Sequence, residues 1–173
     1  GVSVVKYTSA EAFKLLNRLI EELNSVEKRE EQSREFLAAL GEDVESVRPF
    51  YDYFETQKKI QEIERKIRKI KHSINIFNTT QVIQEFNMTI DQMLIYIPQL
   101  KKRQEKLSYM KDLLPKSRKT VIGYGKNAVI DYLYANYDIE QIKMEYDIVS
   151  ENLLKAQTAV DLVNHTVSME IDI

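Results

Sequence analysis

The chain has 173 residues, 43% of them hydrophobic, a net charge of −2, four glycines, three prolines and no cysteine. That size supports one hydrophobic core, and the shortage of turn formers favours a few long helices over many short strands. Without cysteine there is no disulfide, thiolate nucleophile or cysteine-ligated metal, and the expected location is cytoplasmic.

Thr8 with Glu11 makes a capping box, so a first helix begins there, with Phe13, Leu16, Ile20 and Leu23 on its apolar face. The apolar pattern weakens through the charged run of residues 27–31 and resumes at Phe36, Leu37 and Leu40. This predicts a helix ending at a Gly41 C-cap. After a connection over residues 42–48, Pro49 suits the first turn of a second helix, predicted to run to Phe77 before Asn78, Thr79 and Thr80. A helix of that span is about 43 Å long and needs a partner along its length. Its residues Ile60, Ile63, Ile67, Ile70, Ile74 and Phe77 recur at spacings of three and four, the pattern of a heptad seam.

Thr89 with Gln92 is a second capping box, and Met93, Ile97, Leu100, Leu107 and Leu114 carry a third helix toward Pro115, with Gln104 as the polar member of its seam. Pro98 falls inside this helix and predicts a structural bend. From 116 to 137 the helical period disappears. Residues 120–122 and 128–134 are β-branched or aromatic around the glycine-rich stretch 123–127, which predicts a short β-hairpin. Asp138 with Gln141 opens the last helix. Its seam has nine uncharged members: Ile139, Ile142, Tyr146, Val149, Leu153, Ala156, Val160, Val163 and Val167. The expected architecture is thus a mostly α single domain of long antiparallel helices with heptad seams, a helical bundle or coiled coil, with a hairpin insertion at 116–137. The same heptads satisfy pairing within one chain or between chains.

No catalytic constellation emerges. Gly123-Tyr124-Gly125-Lys126 lacks the upstream glycine and the following Ser/Thr of a phosphate loop, and a hairpin turn accounts for it. His72 and His165 are the two histidines, and neither lies in a zinc-binding pair or three residues after a glutamate. Carboxylate pairs such as Glu21-Glu22, Glu30-Glu31 and Asp43/Glu45 fit solvated faces, with no accompanying base or nucleophile. Neither a cofactor nor a metal is expected. The Asn-x-Ser/Thr matches at Asn78, Asn87 and Asn164 would matter in a secreted protein. The apolar stretch around 93–97 falls far short of the roughly 20 residues that span a bilayer, so no membrane insertion is expected.

Charge is the most suggestive functional signal. Residues 1–57 carry a net −5, residues 58–126 a net +10 and residues 127–173 a net −7. Lys58, Lys59, Arg65, Lys66, Arg68, Lys69 and Lys71 surround the second helix's seam, and Lys101, Lys102, Arg103 and Lys106 continue on the third helix. These cations either complement the acidic flanks, within a molecule or across an oligomer, or contact nucleic-acid phosphates. Acidic residues bordering the last seam favour complementarity, because partner-selecting charges sit in such positions. Aromatic residues for base stacking are scarce among the lysines.

The pattern of Leu16-x-Arg18-x-Ile20, Glu42-Asp43, Ile74-Asn75, Asn78, Thr89, Asp138-Ile139, Asn164, Thr166 and Glu170 resembles a family of small uncharacterised bacterial proteins, some of which carry the name septicolysin. Members of that family tend to have tryptophan where His165 stands. The resemblance implies a helical, self-associating protein, and it assigns no catalytic or ligand residues. The expected function is therefore non-enzymatic self-association as a homo-oligomer together with docking of a protein partner. The alternative is an RNA- or DNA-binding helical arm using the basic middle.

Overall fold

In the computed structural model, residues 4–119 and 129–173 are described. They form five helices and three small antiparallel strand pairs: β1 (Val4–Thr8), α1 (Ser9–Ser33), α2 (Val44–Val47), α3 (Tyr53–Thr80), β2 (Val82–Ile83), β3 (Met88–Thr89), α4 (Ile90–Lys111), β4 (Lys116–Arg118), β5 (Tyr132–Tyr134), α5 (Ile139–Thr166) and β6 (Ser168–Asp172). The protein is mostly helical. Its single chain contains two compact units, Gly1–Gln81 with Leu162–Ile173, and Val82–Asp161.

The first unit is organised by α3. Ile60, Ile63, Ile70, Ile74 and Phe77 put one buried line along that helix, and α1 packs against it with Ala12, Leu16, Leu19 and Val26. Thr8 caps α1 as its spacing predicts: the Glu11 N–H donates to Thr8 Oγ1 at 3.2 Å, and the Thr8 N–H donates to Glu11 Oε1 at 3.1 Å. The bond from the Thr8 N–H, followed by the Thr8 side chain, holds the Glu11 carboxyl below the usual carboxylate range. Phe13, expected on the inner face, is 45% exposed, and Ala12 takes the core position beside it.

Four boundaries differ from the sequence expectation. α3 does not break after Phe77 but continues through Asn78, Thr79 and Thr80, the two threonine hydroxyls donating back to the Asn75 and Ile76 carbonyls at 2.9 and 2.6 Å. α1 ends at Ser33 rather than continuing to Gly41, so Phe36, Leu37 and Leu40 lie in an irregular connection. Gly41 has φ +84° and serves a turn instead of capping the long helix. Pro49 precedes α3 rather than entering its first turn, because Asp52 takes the N-cap, its Oδ1 accepting the Glu55 N–H at 3.1 Å.

The terminal strands had no place in the sequence expectation. β1 and β6 pair antiparallel, from Val4 opposite Asp172 to Thr8 opposite Ser168, and β6 lies against α3. Met169 and Ile171 are buried while Ser168, Glu170 and Asp172 are exposed, the two-residue alternation of a strand with one covered face. Lys69 of α3 reaches Asp172 at 3.8 Å.

In the second unit, β2 and β3 form a short hairpin whose turn places Asn87 at φ +50°, a left-handed conformation that asparagine tolerates well. Thr89 then opens α4, its N–H donating to Gln92 Oε1 at 2.9 Å. Met93, Leu100 and Leu107 are buried along α4, and Pro98 lies within it. The helix stops at Lys111, so Leu114, expected on its seam, is 67% exposed.

Gln104, the polar member of that seam, donates through Nε2 to Ser150 Oγ on α5 at 3.0 Å. Asn152 of α5 donates to the Tyr96 hydroxyl at 3.1 Å, and Tyr137 donates to the Met110 carbonyl at 2.7 Å. Asp138 caps α5, with Oδ1 accepting from the Glu140 N–H at 3.0 Å. The expected hairpin appears as β4 paired with β5, Lys116 opposite Tyr134 and Arg118 opposite Tyr132. Its strands therefore lie partly outside the β-branched segments of 120–122 and 128–134, and the turn at 123–127 is outside the described residues.

Ile171 is 1% exposed although it stands near the end of the chain. Ile171→Ala should lower unfolding free energy in urea by about 2–5 kcal/mol, the range for emptying a well-packed isoleucine site, whereas Glu170→Ala should cost under about 0.5 kcal/mol. Equal small losses would show that β6 contributes nothing to the core.

Candidate docking surface

The residues singled out from the sequence separate into covered and uncovered groups. Of the α3 seam, Ile60, Ile63, Ile70, Ile74 and Phe77 are buried and Ile67 is half-buried. Of the α5 seam, Val149, Leu153, Ala156 and Val160 are buried; Ile139, Ile142, Tyr146, Val163 and Val167 are half-buried, Val167 lying just past the helix end. Both lines are therefore wholly or partly withdrawn from water within one chain.

The basic candidates are at the surface. Arg65 and Lys66 are half-buried; Lys58, Lys59, Arg68, Lys69 and Lys71 on α3 are exposed, as are Lys101, Lys102, Arg103 and Lys106 on α4. Two of the α3 cations already have acidic partners. Arg65 forks onto Glu62 through Nε at 3.0 Å and Nη2 at 2.6 Å, and Lys69 meets Asp172. The Arg65 guanidinium holds the Glu62 carboxyl below its ordinary range. Lys101, Lys102, Arg103 and Lys106 have no ion pair among the described residues. Three of them, with Gln99, border a hollow of about 240 Å³.

Sequence periodicity missed the connection between α1 and α3, because Phe36, Leu37 and Leu40 continue the helical spacing. The backbone there closes on itself instead. The Ala39 N–H donates to Glu42 Oε2 at 2.9 Å, and the Glu42 N–H returns to the Ala39 carbonyl at 3.0 Å. Asp43 then caps α2 by accepting the Glu45 N–H at 3.2 Å. α2 lasts four residues, because Arg48 precedes Pro49 and is pushed to extended backbone, with ψ 119°. Arg48 bonds Glu45 through both Nε and Nη2 at 3.0 Å, with its guanidinium 4.9 Å from the centre of the Phe36 ring.

Local bonding in this way leaves the large side chains of the connection without cover. Leu37 is 95% exposed, Leu40 106%, Phe50 94% and Phe54, in the first turn of α3, 80%. Tyr53 packs edge-on to Phe54 at 5.3 Å between ring centres. Single exposed leucines are ordinary on a protein surface; three nearly uncovered large side chains on one connection, with Phe54 just beyond it, are a denser exposure than that.

Glu30 of α1 accepts from the Tyr51 hydroxyl at 2.6 Å and from Gln57 Nε2 at 2.5 Å, through the same carboxylate oxygen. Beside this junction is a hollow of about 470 Å³, bordered among others by Val26, Phe50, Glu55 and Lys59. No group of three or more acidic or imidazole side chains suited to a metal occurs among the described residues, and His72 and His165 are both exposed.

The hydrogen bond to Glu30 raises the Tyr51 pKa above its ordinary value of 10.0, with burial and the Glu30 charge acting in the same direction. A raised folded-state value means that the bond's contribution is complete below the ordinary phenol range and is lost as pH rises through the folded value. Among the ten tyrosines, Tyr51 should ionise late in an alkaline ultraviolet titration. Tyr51→Phe should remove that late component. Its persistence in the variant would assign it to another tyrosine.

No protein-family model and no curated protein matches the sequence. A solved structure is similar in fold: the crystal structure of a functionally unknown conserved protein from Corynebacterium diphtheriae, with TM-score 0.56 and 17% identity, covering 95% of this chain and 99% of that one.

Proposed function

We propose that this protein is a non-enzymatic helical scaffold that associates with itself and docks a protein partner, using the α1–α3 connection as its contact surface. The observation that carries this reading is the near-complete exposure of Leu37, Leu40, Phe50 and Phe54. Keeping such side chains in water forgoes roughly 1.5–3 kcal/mol of burial for each, which a partner's surface would recover. The Glu30–Tyr51–Gln57 junction, which shares a hollow with Phe50, would limit the ordering that binding must cost there. The helices would supply rigidity through knobs-into-holes packing along the two heptad lines. Resemblance to the septicolysin-named family points the same way, toward self-association. A photo-crosslinking amino acid in place of Leu40 should give a discrete protein adduct in living cells, and the same group in place of Lys155 should give none. No adduct at position 40, or equal adducts at both, would overturn the reading.

Nucleic-acid binding is the second reading, favoured by Lys101, Lys102, Arg103 and Lys106 of α4, which are exposed and have no ion pair among the described residues. Against it stand the acids that already hold Arg65 and Lys69. A salt titration separates the two. Binding through six or more phosphate contacts would give a log-affinity slope steeper than about −5 against log salt, whereas the docking reading expects no retention on duplex or single strands even at low salt.

A further inference from the structure

We infer that the α1–α3 connection of one copy receives the outer face of α4 from a second copy, a head-to-tail contact in which an acidic apolar surface meets a basic apolar one. This rests on the proposed docking role of the connection and names its occupant.

Residues 34–56 contain six acidic and two basic side chains. One of the two, Arg48, is consumed by Glu45 and Phe36. On the acidic side, Asp43 and Asp52 serve as helix caps and Glu42 serves the turn, but each keeps its negative charge. Glu35 and Glu55 are exposed with no ion pair among the described residues. Two such connections face to face would set like charges against each other, so a symmetric contact of this surface with itself is disfavoured. Anionic lipid is disfavoured for the same reason. The occupant must bring apolar side chains together with cations.

The outer face of α4 has both. Ile95, Lys102, Lys106 and Tyr109 are separated by seven, four and three residues, which places them in one stripe of the helix. Met93, Leu100 and Leu107 are buried on the opposite side. Ile95 is 62% and Tyr109 67% exposed, and both lysines are exposed without an ion pair among the described residues. Glu105 is the one acid in this part of α4, against four cations over 101–106.

Other exposed faces fit less well. On α5, Met144 and Ile148 are exposed beside Glu145, Asp147 and Glu151, so that face is acidic like the connection itself. α3 is basic, but beyond Tyr53 and Phe54 its exposed large apolar side chain is Ile76. In the head-to-tail contact, Ile95 and Tyr109 would cover Leu40, Phe50 and Phe54, while Lys102 and Lys106 would face Glu35 and Glu55. Such a contact uses two different surfaces, so it closes into a ring or extends into a chain of copies.

Light scattering on the full chain tests this through charge exchange. Wild-type protein should exceed the mass of one chain at high concentration and low salt, and the excess should shrink as salt screens the exposed charges. Glu35→Lys with Glu55→Lys should be monomeric alone, and so should Lys102→Glu with Lys106→Glu. An equimolar mixture of the two variants should associate again, because each then presents the complement of the other. Circular dichroism of each variant alone verifies that monomers are folded.

A monomeric wild type, association indifferent to both charge reversals, or a mixture that stays monomeric would overturn the head-to-tail contact. Loss of wild-type association on Leu40→Ser while Lys102→Glu with Lys106→Glu leaves it intact would also overturn it, and would leave the docking role of the connection standing with a different occupant. A crosslinked adduct at position 40 without the mass of two copies would do the same.

Discussion

A 28-residue helix with isoleucine at 60, 63, 70 and 74 cannot stand alone in water, and covering that line is the constraint from which the rest of the first unit follows. α1 supplies the matching face with Ala12, Leu16, Leu19 and Val26. β6 lies against the same helix, bringing Met169 and Ile171 into the core. Polar groups are then arranged around this core by short-range bonds: capping at Thr8 and Asp52, the Glu30 junction, and Lys69 with Asp172. Exposed pairs of this kind contribute little to stability but orient the surface.

The same constraint explains where the exposed apolar side chains lie. Along α1 and α3 most apolar side chains at the seam are buried, whereas the backbone between Arg34 and Tyr51 bonds locally at Ala39, Glu42, Glu45 and Ser46. Those turns fix the main chain without requiring the leucines and phenylalanines to pack. Exposed apolar side chains on a locally hydrogen-bonded connection can meet a partner with little rearrangement of the backbone beneath.

Much of the helical framework is legible in the sequence because its signals are local. Thr8/Glu11, Thr89/Gln92 and Asp138 announce helix starts through bonds spanning three residues, and Gln104 announces itself as the polar member of a seam, which Ser150 satisfies. What escaped the reading depends on distant partners or on competition between local options. Phe36 to Leu40 have good helical spacing, yet the Ala39–Glu42 turn and the Arg48–Phe36 contact win. The two-residue alternation of Met169 and Ile171 is too short to announce a strand without its partner β1. Glu30 looks like one more solvated carboxylate in a charged run; only the approach of Tyr51 and Gln57 makes it a junction.

Pairing of Val4–Thr8 with Ser168–Asp172 also bears on how the chain reaches this fold. Nearly the whole polypeptide separates the two strands, and the entropy lost in closing so long a loop must be met before their ladder returns anything. The α1–α3 hairpin, whose contacts are far closer in sequence, offers β6 a ready apolar platform once it has formed. Pairing of these two strands then belongs late in folding, and a nascent chain in which Ser168–Asp172 has not yet emerged would hold the helical platform open along the strip that Met169 and Ile171 later occupy.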